Sequence, residues 1–149
     1  MKSFLADLKL EDPRLLQPVK EFAGEATVVM QTVWPNLIIQ QQSNTLAARQ
    51  LVTRGPETFD LIWTFFGYAD DDDEMTARRL RQANLMGPAG LVSVDDSEMM
   101  ELQQRGVGEY REGAAVVELG GSDVADAPHM ITETAIRGFY RYYRKVMGI

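Results

Sequence analysis

Between residues 26 and 66, short runs rich in β-branched and aromatic side chains are separated by turn-forming clusters. Parallel pairing needs a crossover of a dozen or more residues, and none of these connections is long enough. The segment is therefore restricted to an antiparallel meander. Its expected strands are Ala26 to Val33, Leu37 to Gln42, Leu46 to Val52 and Phe59 to Phe66, with turns at Trp34-Pro35-Asn36 and Arg54-Gly55-Pro56-Glu57. Alternation along the last strand puts Leu61, Trp63 and Phe65 on one face.

Helical signals follow. Asp70 to Glu74 precede Arg78, Arg79 and Arg81, which suits a helix macrodipole, and Glu74 with Arg78 forms an i,i+4 pair. This charge run reads as a solvated helix start, since it lacks the spacing of a calcium loop. Gly87-Pro88-Ala89-Gly90 breaks the helix, and a second one resumes through Val92, Asp96, Met100 and Gln103 to about Arg105-Gly106. Residues 106–128 read mainly as loop, with a short strand at Ala114 to Leu119. The last segment is an amphipathic helix with Ile136, Phe139, Tyr140, Tyr143 and Met147 on one side and Arg137, Arg141, Arg144 and Lys145 on the other. Ahead of the meander, Asp12-Pro13 can cap one short turn before Pro18 ends it. No internal repeat or low-complexity linker marks a second domain.

Composition removes several function classes. A net charge of −7 repels polyphosphate and argues against nucleic-acid binding. Cysteine is absent, so this chain can hold no disulfide, thiolate nucleophile, thiolate zinc site or iron–sulfur cluster of its own. No apolar run approaches the length of a membrane span, and Met1 to Leu10 lacks the apolar stretch of a signal peptide; the expected compartment is the cytoplasm.

The residues most suggestive of chemistry are Asp95 and Asp96, adjacent acids just past the glycine-bounded break with apolar neighbours on either side. Successive helical residues point about 100° apart, so only one of the two can face an interior. Acids at a helix start ordinarily serve as caps or macrodipole partners. An inward acid among apolar side chains is costly without a compensating cation, and metal ligation is the alternative reason for one. The lone histidine, His129, reads as a surface or helix-entry residue.

Read together, four blocks resemble one family in order: VWPNLIIQQQSNTLAARQL at Val33 to Leu51, TFFGYADDDD at Thr64 to Asp73, QANLMGPAGLVSVDDSE at Gln82 to Glu98, and ETAIRGFYRYYRKVMG at Glu133 to Gly148. They resemble the large (alpha) subunits of Rieske non-haem iron aromatic-ring-hydroxylating oxygenases, and within them the branch acting on aromatic carboxylates such as salicylate. The resemblance runs from about Asp12 onward. It implies an α+β partial helix-grip (START-like) fold, an antiparallel meander with a long C-terminal helix packed on it, and it assigns residues 1–149 to the C-terminal portion of the catalytic domain. It also implies a mononuclear Fe(II) held by two His and one carboxylate, the carboxylate being Asp96, with Met86, Leu91 and Val92 lining the substrate pocket and Leu37, Ile39 and Gln40 joining them from the sheet.

The family's [2Fe–2S] cluster and its two iron-binding His find no counterpart in this sequence. The resemblance thus implies a fragment, inactive alone, whose complete form takes O2 and an aromatic substrate, draws electrons from ferredoxin and reductase, and assembles as a trimer or alpha–beta hetero-oligomer. Two other readings stay open. One is a metal-free helix-grip module binding an apolar ligand through Met86, Leu91, Val92 and Trp63; the other is a structural partner docking through the Ile136 to Met147 stripe.

Overall fold

A computed structural model describes residues 10–110, 112–113, 120–126 and 133–149. The expected strand at Ala114 to Leu119 and His129 both lie outside the described residues. The chain divides into two compact units, Met1–Glu109 and Tyr110–Ile149.

In the first unit the meander forms as its turns require. Strands β1 (Val28–Val33), β2 (Leu37–Gln42), β3 (Thr45–Thr53) and β4 (Phe59–Phe66) pair antiparallel in the order β1-β2-β3-β4. Register places Arg49 opposite Trp63 and Ile38, and Ala47 opposite Phe65 and Gln40. Alternation then gives one sheet face to Met30, Gln40, Thr45, Ala47, Arg49, Trp63 and Phe65, and the reverse face to Leu37, Ile39, Leu46 and Phe66. Every residue of the edge strand β1 is exposed. Helices α1 (Asp73–Met86) and α2 (Leu91–Glu109) follow, so the unit is α+β. Asp72 caps α1 by accepting from the Met75 N–H at 2.7 Å, and Glu74 accepts from Arg78 one turn on. Helix α2 runs past the expected stop at Gly106 to Glu109; Gly106 and Gly108 do not terminate it. A glycine inside a helix costs only about 1 kcal/mol relative to Ala.

The best-ordered contacts of this unit are polar. Arg79 is 6% exposed and lies at the junction of the segment before β1, the β2–β3 turn, the β4–α1 connection and α1. Its Nε and Nη2 donate to the Asp71 carboxylate at 2.7 and 2.9 Å. Its Nη1 donates to Glu21 Oε2 at 3.1 Å and to the Asn44 carbonyl at 2.8 Å, and Nη2 also bonds Glu21 Oε1. The Tyr68 ring lies 5.4 Å from the guanidinium. Asn44, fully buried, bonds both backbone groups of Val19 at 2.9 Å, and its own N–H donates to Gln82 Oε1 at 2.8 Å. Hydrogen bonds from Arg79 hold the Asp71 carboxyl below its usual range, and that same pairing raises Arg79.

Apolar burial is sparse by comparison. Among the described residues only Leu46, Ala47 and Leu85 are buried hydrophobic side chains, while Val29, Met30, Phe59, Leu91, Met99 and Leu102 are among those exposed. This leaves apolar area of the kind that proteins cover with further structure.

In the second unit α3 (Thr134–Met147) forms as expected and ends on Gly148 in the left-handed region, φ 72°. Arg144 and Lys145 occupy its last turn, and Phe139 stacks with Tyr143 at 6.1 Å between centroids. None of its side chains is buried.

Replacing Arg79 by Met should leave two enclosed carboxylates without a cation, at a cost of about 3–5 kcal/mol read by urea denaturation. Because the folded-state pKa of Asp71 is depressed, its contribution is present above about pH 4 and fades as pH falls through the lowered value. The stability gap between wild type and variant should accordingly be widest near neutrality and narrow in acid.

Candidate metal and ligand site

The site is built on the connection between α1 and α2. Helix α1 ends at Met86, and the Gly87 N–H donates back to the Ala83 carbonyl at 2.7 Å. The chain reverses over four residues, with the Gly90 N–H donating to the Gly87 carbonyl at 2.8 Å, and α2 starts at once through the Val94 N–H to the Gly90 carbonyl at 3.0 Å. Both glycines are sterically required. A Cβ on Gly87 would lie 2.8 Å from Phe65 Cζ on the sheet, and one on Gly90 would overlap the Leu85 carbonyl and approach Asn84 O at 2.7 Å. Ser93 then ties the helices together, its hydroxyl donating to the Met86 carbonyl at 2.8 Å.

This geometry fixes the azimuth of the paired acids. Asp95 and Asp96 are both exposed, so the expectation that one of the pair faces an interior is not met among the described residues. Burial holds the Arg49 guanidinium of β3 below its usual range, and of the two acids only Asp96 partly offsets that effect. Arg49 stacks over the Trp63 ring at 5.0 Å and donates Nη2 to Met30 Sδ at 3.4 Å. Trp63 in turn stacks on Phe65 at 5.7 Å. Arg49, Trp63 and Phe65 share the sheet face that Gly87 approaches through Phe65.

Of the residues expected to line a pocket, Met86 is half-buried, and Leu91 and Val92 are exposed. Val92 shares a helical face with Asp96, four residues on. Gln40 is 2% exposed and projects from the sheet face that carries Arg49. Leu37 and Ile39 alternate with it and project from the reverse face, so they do not share a surface with Gln40 and Arg49. Arg49 carries no pattern signal in the sequence; only the strand register reveals its place beside Trp63.

Three hollows lie elsewhere in this unit, and none is lined by Met86, Leu91, Val92, Leu37, Ile39 or Gln40. One of about 330 Å³ borders Phe65, Tyr68 and Arg79, one of about 210 Å³ borders Val19 and Gln41, and one of about 490 Å³ separates Phe59 from Met100 and Val107.

Among the described residues no three His, Cys, Asp or Glu side chains converge on a point that could hold a metal ion. Asp96 offers one carboxylate, which is one of the three protein donors a facial iron centre uses. The described residues therefore do not by themselves make up such a centre. No described helix is long and apolar enough to cross a membrane.

Comparison with known proteins gives a consistent picture. The family profile described as the ring hydroxylating alpha subunit, catalytic domain, matches residues 12–149. The chain is 50% identical over 147 residues to the large oxygenase component of salicylate 5-hydroxylase from Ralstonia sp, covering 98% of this chain and 35% of that protein. It is 43% identical over 148 residues to the anthranilate 1,2-dioxygenase large subunit of Burkholderia cepacia, covering 99% of this chain and 35% of that protein. It is 41% identical over 140 residues to the alpha 2 subunit of the terminal oxygenase component of terephthalate 1,2-dioxygenase from Comamonas sp, covering 94% of this chain and 34% of that protein. The chain spans about a third of the length of these relatives.

A Gly90→Ala substitution should force the α1–α2 connection open and destabilise the unit by about 1–3 kcal/mol. Ala89→Gly, one residue earlier, should cost less than about 1 kcal/mol. Thermal unfolding followed by circular dichroism checks both.

Proposed function

The chain belongs to the catalytic-domain family of ring-hydroxylating oxygenase alpha subunits, and on that premise we propose that it is the C-terminal part of a catalytic domain that inserts oxygen from O2 into the ring of an aromatic carboxylate, salicylate being favoured. Its family is one of aromatic-ring-hydroxylating oxidoreductases. The observation that carries the finer reading is the placement of the acid pair: it stands in the first turns of α2, directly after a connection that needs glycine at both Gly87 and Gly90.

In this reading Asp96 is the carboxylate ligand of a mononuclear Fe(II), and Asp95 is its neighbour pointing elsewhere. The two His ligands come from residues beyond those described. The [2Fe–2S] cluster is likewise supplied from elsewhere, because this chain has no cysteine. Iron, when bound, supplies the centre at which dioxygen is activated. In the same reading the chain's own residues Met86, Leu91, Val92 and Gln40 hold the aromatic ring and exclude bulk water. The helix-grip arrangement, the ferredoxin and reductase donors, the trimeric or alpha–beta assembly and the cytoplasmic location belong to the same reading. So does the inactivity of the isolated chain, which provides one iron donor and no cluster.

The test is metal analysis of the complete natural polypeptide. Asp96→Ala should lose most of its mononuclear iron while keeping the visible absorption of its iron–sulfur cluster, and Asp95→Ala should keep both. Equal iron content in the two variants would remove Asp96 from the coordination sphere.

A further inference from the structure

Three polar side-chain atoms are buried without a hydrogen-bond partner among the described residues: Gln40 Oε1, Thr45 Oγ1 and Arg49 Nε. Register puts all three side chains on one sheet face, with Gln40 opposite Ala47 and Arg49 two residues further along β3. A buried polar atom left without a partner is costly, and native structures rarely tolerate three on one surface without a use for them.

Arg49 is the unusual member. A guanidinium carries five donors suited to a planar, two-pronged acceptor. Arg79, also enclosed, spends its donors on two carboxylates and a carbonyl. Arg49 has only the Met30 sulfur at 3.4 Å, a weak acceptor, and the face of Trp63. No carboxylate forms an ion pair with Arg49 among the described residues. The guanidinium carbon lies 5.0 Å from the centre of the Trp63 ring, and the group has no carboxylate partner among the described residues. A planar anion meeting its edge would gain charge-assisted hydrogen bonds in a partly enclosed setting.

We propose that Arg49 is the specificity-determining residue that receives the carboxylate of an aromatic acid, with Gln40 beside it as a second hydrogen-bonding group. The assignment rests on the ring-hydroxylating reading and adds to it the side chain by which an acid is told from a neutral ring. Arg49 acts through binding, and the ring is directed towards the Asp96 end of α2 because its acidic substituent is anchored on the sheet.

The experiment is calorimetric titration of the complete natural polypeptide with salicylate and with salicylamide, its uncharged analogue. Wild type should bind salicylate about 10- to 100-fold more tightly than salicylamide. Arg49→Gln should abolish that preference and leave salicylamide affinity within about twofold, and Arg49→Lys should keep part of the preference because it keeps the charge. Equal weakening of both ligands by Arg49→Gln would mark a packing role and overturn the assignment. Should Arg49→Gln fail to fold, the wild-type ratio and the Lys variant decide, a ratio near one being the overturning result. Binding of both ligands with equal affinity sinks only the role of Arg49, whereas binding of neither sinks the aromatic-carboxylate reading on which it rests.

Discussion

The enclosed guanidinium of Arg79 is the constraint on which the first unit depends. It joins four segments that are distant in sequence, and it does so through directional bonds instead of apolar area. With only three buried hydrophobic side chains among the described residues, this unit has little apolar core to substitute for it. Asn44 extends the same logic: it mimics a strand neighbour for Val19, anchoring the leading segment, and binds α1 through Gln82. The orientation of α1 against the sheet is therefore set by charge and hydrogen bonding, and α1 in turn sets where α2 begins.

The sheet was legible because its turns are short and its alternation is regular; observed strand ends differ from the expected ones by two residues or fewer. The glycine-bounded break was legible for a similar reason. What the sequence did not disclose was the Arg79 node, since Glu21, Asn44, Asp71 and Arg79 look like ordinary surface polar residues until the chain brings them together. The end of α2 was missed because a Gly signal was outweighed by continued helical hydrogen bonding beyond it. At the site, periodicity singled out Val92 with Asp96, while alternation within β2 separates Leu37 and Ile39 from Gln40, a distinction that a block resemblance does not make.

Apolar side chains stand exposed on β1, β4 and α2. The polar interactions of the first unit are largely satisfied within it, whereas its apolar faces and the atoms around Arg49 are not. That asymmetry separates what holds the unit together from what it presents outward.

The locked corner between α1 and α2 has a consequence for how the chain can vary. Surface connections normally accept extra residues, because the ends they join do not care about phase. Here one inserted residue between Gly90 and Asp96 would swing the acid by about 100° around the helix axis and shift it by about 1.5 Å along it. The corner therefore acts as a rotational gauge, and its length, more than its composition beyond the two glycines, is what aims the carboxylate.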